Sequence, residues 1–198
     1  MPAERRLLSV NTAAIQTVEI DGRRIATAIG KRSVSSLSAP TRIAVRALGL
    51  EGDEQADPTV HGGLSKAVYA YPHEHYAFWQ TVRGQAGQQA WDEALPHGML
   101  GENLTLSGLL EGEAFIGDVL RFPDCTLAIS EPRQPCYKFA HVMGFPQAVK
   151  LMSQSGYCGY YLSVRTGGSI AAGEAFELIP GPREVGISEL FKVKMKRG

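Results

Sequence analysis

The sequence predicts a mainly β protein, a closed or nearly closed β-barrel with a few inserted α-helices. Three observations lead there. Ten short segments rich in β-branched and aromatic residues recur along the 198 residues, glycine- and proline-bearing turns separate them, and helical periodicity is confined to two stretches. The expected strands are 7–10, 15–20, 24–29, 42–48, 66–71, 103–106, 114–122, 126–130, 160–164 and 175–179. Asp21-Gly22 falls between the second and third as a two-residue hairpin turn, and Thr166-Gly167-Gly168 marks another turn. Residues 72–82 predict a helix: Pro72 suits a first-turn position, Glu74 follows early, and Tyr71, His75, Phe78, Trp79 and Val82 recur at helical intervals. A second helical stretch, 137–155, is interrupted near Gly144-Phe145-Pro146. Residues 85–94 read as helix or loop, and 186–195 as a terminal helix or strand. With no repeat, low-complexity run or linker, residues 1–198 are expected to form one domain.

Composition removes several function classes. At 44% hydrophobic residues the chain can bury a full core. Lysine plus arginine balances aspartate plus glutamate at 20 each, so no global field recruits nucleic acid or an anionic membrane. Cys125, Cys136 and Cys158 are odd in number and lack C-x-x-C spacing, which argues against a disulfide framework and a structural zinc site and favours a reducing compartment. Asn11, Thr12 and Gln16 interrupt the N-terminal apolar residues, so neither a signal peptide nor a membrane span is expected. A cytoplasmic location follows as the expectation.

Cys136 is the first candidate for chemistry. It ends the run Ser130-Glu131-Pro132-Arg133-Gln134-Pro135-Cys136. The two prolines fix their own φ and push Glu131 and Gln134 into extended geometry, so the approach is stiff and aims the side chain. A helix starting at Tyr137 and the nearby Arg133 both favour a thiolate, the form that attacks electrophiles or binds soft metals. A buried structural cysteine explains the same residue without chemistry.

Three further clusters stand beside it. Gly52-Asp53 leads to His61-Gly62-Gly63 and Lys66; the glycines could expose backbone N–H groups to an anion, Lys66 could add a counter-charge, and His61 titrates near neutrality. The spacing is not that of a P-loop, and a solvated surface turn accounts for it equally. Gly101-Glu102-Asn103 and Gly117-Asp118 offer fixed acceptors and donors to a polar ligand, or simply turns with local hydrogen bonds. His73 and His75, two apart, lie on different faces of a helix and do not suit a metal. Trp91, Tyr137, Phe139 and Tyr160 are aromatic candidates for stacking on a substrate or for the core.

In order along the chain, Gly52-Asp53 through Asp57, His61-Gly62-Gly63 with Lys66-Ala67-Val68, Tyr71-Pro72 through Trp79, Gly101-Glu102-Asn103-Leu104-Thr105, Ile116-Gly117-Asp118 and Pro132-Arg133-Gln134-Pro135-Cys136-Tyr137-Lys138 resemble a MOSC domain of the bacterial YiiM type, over about residues 42–179. The resemblance implies a β-barrel that binds the molybdenum cofactor, a molybdopterin phosphate carrying molybdenum, with Cys136 as the thiolate ligand to the metal. It places His61 and Lys66 near Cys136 as catalytic groups, and makes Gly62, Gly63, Arg133, Asn103, Glu102 and Asp53 candidates for holding the cofactor. Such proteins are associated with reduction of N-hydroxylated compounds, hydroxylaminopurines and amidoximes among them. An external flavoprotein reductase would then supply electrons, since the chain carries no flavin or NAD motif of its own. The pyridoxal phosphate of the multidomain sulfurases belongs to a separate region that nothing here resembles. Longer YiiM-type members continue into a three-helix domain, and this chain, which stops at Gly198, is expected to lack it. Two alternatives stay open: a sulfur or cofactor carrier using a Cys136 persulfide, and a non-catalytic cofactor-binding barrel.

Overall fold

The computed structural model describes residues 4–56 and 62–196. Its strands, in chain order, are β1 (Arg6–Thr12), β2 (Gln16–Ile20), β3 (Arg23–Thr27), β4 (Arg32–Ser36), β5 (Ile43–Arg46), β6 (Gly49–Leu50), β7 (Val68–Pro72), β8 (Leu104–Ser107), β9 (Val119–Arg121), β10 (Thr126–Pro132), β11 (Tyr160–Thr166), β12 (Gly168–Ile170) and β13 (Glu177–Ile179). The α-helices are α1 (Tyr76–Gln85), α2 (Tyr137–Met143), α3 (Ala148–Ser155) and α4 (Ile187–Lys196), with 3-10 turns at Leu64–Lys66 and His73–His75.

One eight-stranded sheet dominates, in the order β13-β9-β10-β11-β7-β8-β1-β4. Its β7–β8 pair is parallel and its other pairs are antiparallel. β12, β5 and β6 make a small second sheet, and β2–β3 is a separate hairpin. That hairpin turns at Asp21 and Gly22, both at positive φ, as the dipeptide predicts.

The closed form of the expected barrel does not form: among the described residues no sheet closes on itself. The reason lies where the chain returns after β12. Residues 173–176 run beside β1 through Gly173 N to Leu7 O (2.7 Å), Leu7 N to Glu174 O (2.9 Å) and Phe176 N to Arg5 O (3.1 Å). The contact with β1 amounts to an isolated bridge, Arg6 with Ala175, and the three residues of β13 then join β9, so this stretch links the two sides of the sheet without a continuous ladder.

Most expected strands are present with shifted ends. The long strand expected at 114–122 shrinks to β9, because the Asp118 carboxylate is spent on a turn, accepting from Phe115 N (3.2 Å), Gly181 N (2.7 Å) and Arg183 Nη2 (3.2 Å). Polar β4 had no apolar alternation to announce it, yet Ser35 is buried and its hydroxyl accepts from Thr41 N and Ala172 N. The helical break falls at Gly144, a left-handed cap separating α2 from α3. Residues 85–94 are mostly turns, whereas α4 is a helix that buries Ile187 and Phe191.

The core is built around Trp79, Tyr71, Tyr160 and Phe139, all fully buried, with the indole N–H of Trp79 donating to the Tyr71 hydroxyl (2.6 Å). Tyr160 and Phe139 are therefore core residues rather than stacking platforms, and Trp91 is exposed against Gly84. None of the described helices is long and apolar enough to cross a membrane.

At the β7–β11 junction Gly159 has φ 62°, and a methyl there would stand 2.5 Å from the Ala70 carbonyl oxygen and 2.9 Å from the Tyr69 and Tyr71 rings. Gly159→Ala is expected to destabilise the fold by about 2–4 kcal/mol through left-handed strain and overpacking, measured as a lower urea midpoint. A midpoint equal to wild type would show that the two strands can separate without cost.

Candidate functional site

The site begins with β10, which delivers the stiff segment ending at Cys136. Pro132 still pairs with Tyr160 of β11, Arg133 is buried, and Cys136 takes extended geometry (φ −134°, ψ 169°) as the N-cap of α2. The helix closes beneath it through Phe139 N to Cys136 O (2.9 Å). Cys136 is half-buried, whereas Cys125 and Cys158 are buried. Burial pushes the Cys125 thiol up to about 12 and the Cys158 thiol well above its ordinary value, so both remain protonated at neutral pH.

Cys136 opens onto a solvent-accessible cleft. Thr27, Ala28 and Ile29 at the root of the β2–β3 hairpin form one wall, Asp53 to Ala56 another, and Lys66, Tyr69, Arg133 and Tyr161 complete it from the large sheet and its adjoining turn. Gly101 (φ 86°) permits the hairpin wall, since a Cβ there would stand 2.8 Å from Ile29 Cγ1.

Five residues singled out by sequence, Asp53, Lys66, Asn103, Arg133 and Cys136, line this cleft together. Gly62 and Gly63 do not line it; the Gly63 N–H is engaged by Gln55 Oε1 (3.0 Å). Glu102 points away into the protein, where it accepts from the Tyr76 hydroxyl, Gly98 N (2.8 Å), Leu100 N (3.1 Å) and Thr105 Oγ1 (2.8 Å). Burial nevertheless holds its pKa above the usual carboxylate range. His61 lies outside the described residues.

Asp53 and Asn103 are buried polar connectors. Asn103 Oδ1 accepts from Tyr69 N (3.0 Å), and its amide nitrogen donates to Asn11 O (3.2 Å) and Asp53 Oδ2 (2.8 Å). Asp53 Oδ1 accepts from Ala13 N (2.9 Å) and from the Lys31 ammonium. Burial lowers the Lys31 pKa from the usual lysine value, even though Asp53 and Glu102 pull it up.

Arg133 solves burial differently. Its guanidinium lies 4.9 Å over the Tyr69 ring and 5.0 Å over the Phe139 ring, and it donates to Leu100 O (3.2 Å). Burial opposes its charge, but Tyr69, Tyr161 and Cys136 outweigh that cost and raise its pKa. The attraction is mutual, so a thiolate at Cys136 faces a permanent cation.

Lys31, Lys138 and Tyr161 are cleft residues that sequence reasoning missed. Nothing local marks Lys31, whose partner lies 22 positions away. Lys138 ended the cysteine motif, and its Nζ donates to Ala26 O of the hairpin (3.1 Å). Tyr137, beside Cys136, is the one proposed stacking aromatic of this segment left exposed. The described lining holds four cations, Lys31, Lys66, Arg133 and Lys138, against two carboxylates, Asp53 and Glu54. Such a cleft, in a chain of zero net charge, suits a polar anionic ligand and a soft electrophile or metal at the sulfur.

A family model described as MOSC domain matches residues 57–177. An uncharacterized protein of Bacillus subtilis (strain 168), YflK, is 39% identical over 185 residues, covering 93% of this chain and 77% of that protein. Protein YiiM of Escherichia coli (strain K12) is 34% identical over 161 residues, 81% of this chain and 70% of YiiM. A protein of Gibberella moniliformis (strain M3125 / FGSC 7600) named as a reductase is 32% identical over 137 residues, which span 69% of this chain but 23% of the fungal one. The crystal structure of YiiM from Geobacillus stearothermophilus superposes with a TM-score of 0.75 at 27% identity, covering 98% of this chain and 85% of that one.

Removing Asp53 leaves the Lys31 ammonium buried without its carboxylate. Asp53→Ala is expected to cost about 3–5 kcal/mol at neutral pH by urea denaturation. Because burial already depresses the Lys31 pKa, the unfolded chain binds the extra proton between that lowered value and the usual lysine one, so the variant regains stability as pH rises through this alkaline window. A loss independent of pH would assign the damage to the Asn103 and Ala13 contacts instead.

Proposed function

The chain belongs to the MOSC domain family, and we propose that it is a molybdenum-cofactor-dependent reductase of N-hydroxylated compounds, supplied with electrons by a separate flavoprotein reductase. The observation that carries the proposal is the half-buried thiol of Cys136, aimed by its proline-framed segment into a cleft rich in cations. The reductase name of the fungal relative agrees with a redox role.

The donor set fits the cofactor. A thiolate is the soft ligand molybdenum takes, and the fixed guanidinium of Arg133 with the ammonium groups of Lys31, Lys66 and Lys138 suits a phosphate. Cys136 would hold the metal, and these cations would hold the anionic end, with Asp53 and Asn103 fixing Lys31 from behind. When bound, the cofactor supplies the two-electron redox centre that the side chains lack.

Conversion of an N–OH group to N–H consumes two electrons and two protons and releases water. Lys66, which lines the cleft 3.8 Å from Glu131, would give a proton to the departing oxygen, and His61 is the second candidate for that role. Tyr137, exposed next to Cys136 in the chain, would stack on a planar purine or amidoxime. The hairpin root and the buried tyrosines Tyr69 and Tyr161 line the same cleft as the sulfur.

Protein purified from a host that makes the cofactor is expected to contain molybdenum, and Cys136→Ala to contain roughly tenfold less or lower. Amidoxime reduction with a chemical electron donor should fall with it. Equal molybdenum in both proteins would remove Cys136 from the metal. A molybdenum-free wild type that carries a persulfide would replace the reductase by a sulfur carrier.

A further inference from the structure

His73 and His97, 24 positions apart, meet outside the cleft. His97 Nε2 stands 3.3 Å from His73 Nδ1, and the two rings lie nearly perpendicular, 86° between their planes, with centroids 5.2 Å apart. Two imidazole nitrogens that share one tetrahedral ion at roughly 2.0–2.1 Å stand about 3.3–3.4 Å from each other, and their ring centroids about 5.2 Å. A straight N–H···N bond of the same length would hold the centroids about 5.6 Å apart, since each lies behind its nitrogen on the line of the bond. The rings are bent off that line, as two ligands of one ion are.

The backbone holds each ring in place. His73 opens the 3-10 turn directly after Pro72, the buried end of β7 that pairs with Leu106 of β8. His97 sits on a loop fixed from beneath: Gly98 N and Leu100 N donate to the buried Glu102 carboxylate (2.8 and 3.1 Å), and Gly98, at φ 87°, passes so close to Lys31 that a Cβ would stand 2.8 Å from its carbonyl oxygen. Tyr76, whose hydroxyl also donates to Glu102, lies against both rings, 5.0 Å from His73 and 5.4 Å from His97. The adjacent candidates are engaged elsewhere, His75 by Glu111 (2.7 Å) and Glu74 by Gly108 N (2.7 Å). Partial burial lowers the pKa of both His73 and His97; Glu74 opposes this at His73, and His73 adds to it at His97. Both rings are therefore neutral near pH 7, the form that binds metals.

We propose that His73 and His97 form a two-imidazole site for a divalent transition metal ion of the zinc class, which clasps the turn after β7 to the 97–101 loop. Among the described residues no third histidine, cysteine or carboxylate joins the pair, so water completes the coordination and the ion exchanges with solvent. The nitrogen donors select Zn²⁺, Ni²⁺ or Cu²⁺ over Mg²⁺ and Ca²⁺, which require oxygen ligands. As the ion enters, the proton between the two rings moves to the outer nitrogen of the ring that carried it, and both inner lone pairs face the metal. The clasped loop carries Leu100, whose carbonyl accepts from Arg133, and Gly101 at the hairpin wall, so the ion would brace one side of the cleft from outside it.

The test uses the cofactor-free full chain with Cys136 blocked by iodoacetamide, so that its sulfur does not compete for the metal. Calorimetry should record one equivalent of Zn²⁺ and no heat from Mg²⁺. His73→Gln and His97→Gln are each expected to weaken zinc binding about tenfold or more, whereas His141→Gln, at an exposed histidine outside the pair, should match the wild type. On the wild-type chain itself, zinc should protect His73 and His97 from diethylpyrocarbonate and leave His141 reactive, a reading that does not depend on how a variant folds. Zinc should also slow amide hydrogen exchange at residues 97–101. Wild-type affinity in either glutamine variant, no protection of the pair, or no zinc binding at all overturns the site. Binding without slower exchange in the loop overturns the clasp. Neither Cys136 nor molybdenum enters the measurement, so its outcome is separate from that of the reductase reading.

Discussion

The cleft depends on one buried amide. β7 and β8 run parallel inside an otherwise antiparallel large sheet, and β1 joins β8 from the other side. Where these three strands meet, just before β8 begins, Asn103 supplies the missing partners: its side chain takes Tyr69 N, gives to Asn11 O, and reaches Asp53, while its backbone bonds Tyr69 O and Asn11 N. Asp53 then holds Lys31 and Ala13 N. An unpaired buried polar group costs about 1–3 kcal/mol, so each member of this chain stabilises the next and the wall of the cleft is set by connected contacts.

That wall makes concentrated positive charge tolerable inside a neutral protein. A carboxylate offsets Lys31, aromatic faces and a carbonyl offset Arg133, and Glu131 offsets Lys66. Four cations line the cleft that Cys136 shares, three of them offset in this way, and their combined field remains available to a ligand. Under the proposed function such a cleft would recognise an anion and a soft metal, two features that one molybdopterin phosphate carries together.

Local chemistry was legible and long-range geometry was not. Asp21-Gly22, Gly144 and the proline frame before Cys136 act through their own φ and ψ, so a reader of the chain can place the hairpin, the helix break and the stiff segment. The pairing of Lys31 with Asp53 leaves no local trace, since neither residue is unusual in its neighbourhood. Glu102 resembled a ligand-holding carboxylate because nothing in a sequence tells whether its four donors come from a ligand or from Tyr76, Gly98, Leu100 and Thr105. Barrel closure failed as an inference for a related reason: strand count and turn density are the same for a closed sheet and for one whose last strand is three residues long.

The three cysteines show how stiffness separates the roles a thiol can take. Cys125 and Cys158 are held protonated by burial and pack as small apolar residues. Cys136 is held by its backbone, between a proline-framed strand end and the first turn of α2, with Arg133 facing it. A sulfur carrier has to pass its cargo between two partners, and that motion needs a segment able to swing. A metal ligand has the opposite requirement, because reorganisation on binding subtracts from affinity and a sulfur fixed in advance avoids it. The stiffness that the prolines at 132 and 135 impose is what the proposed ligand role of Cys136 would require.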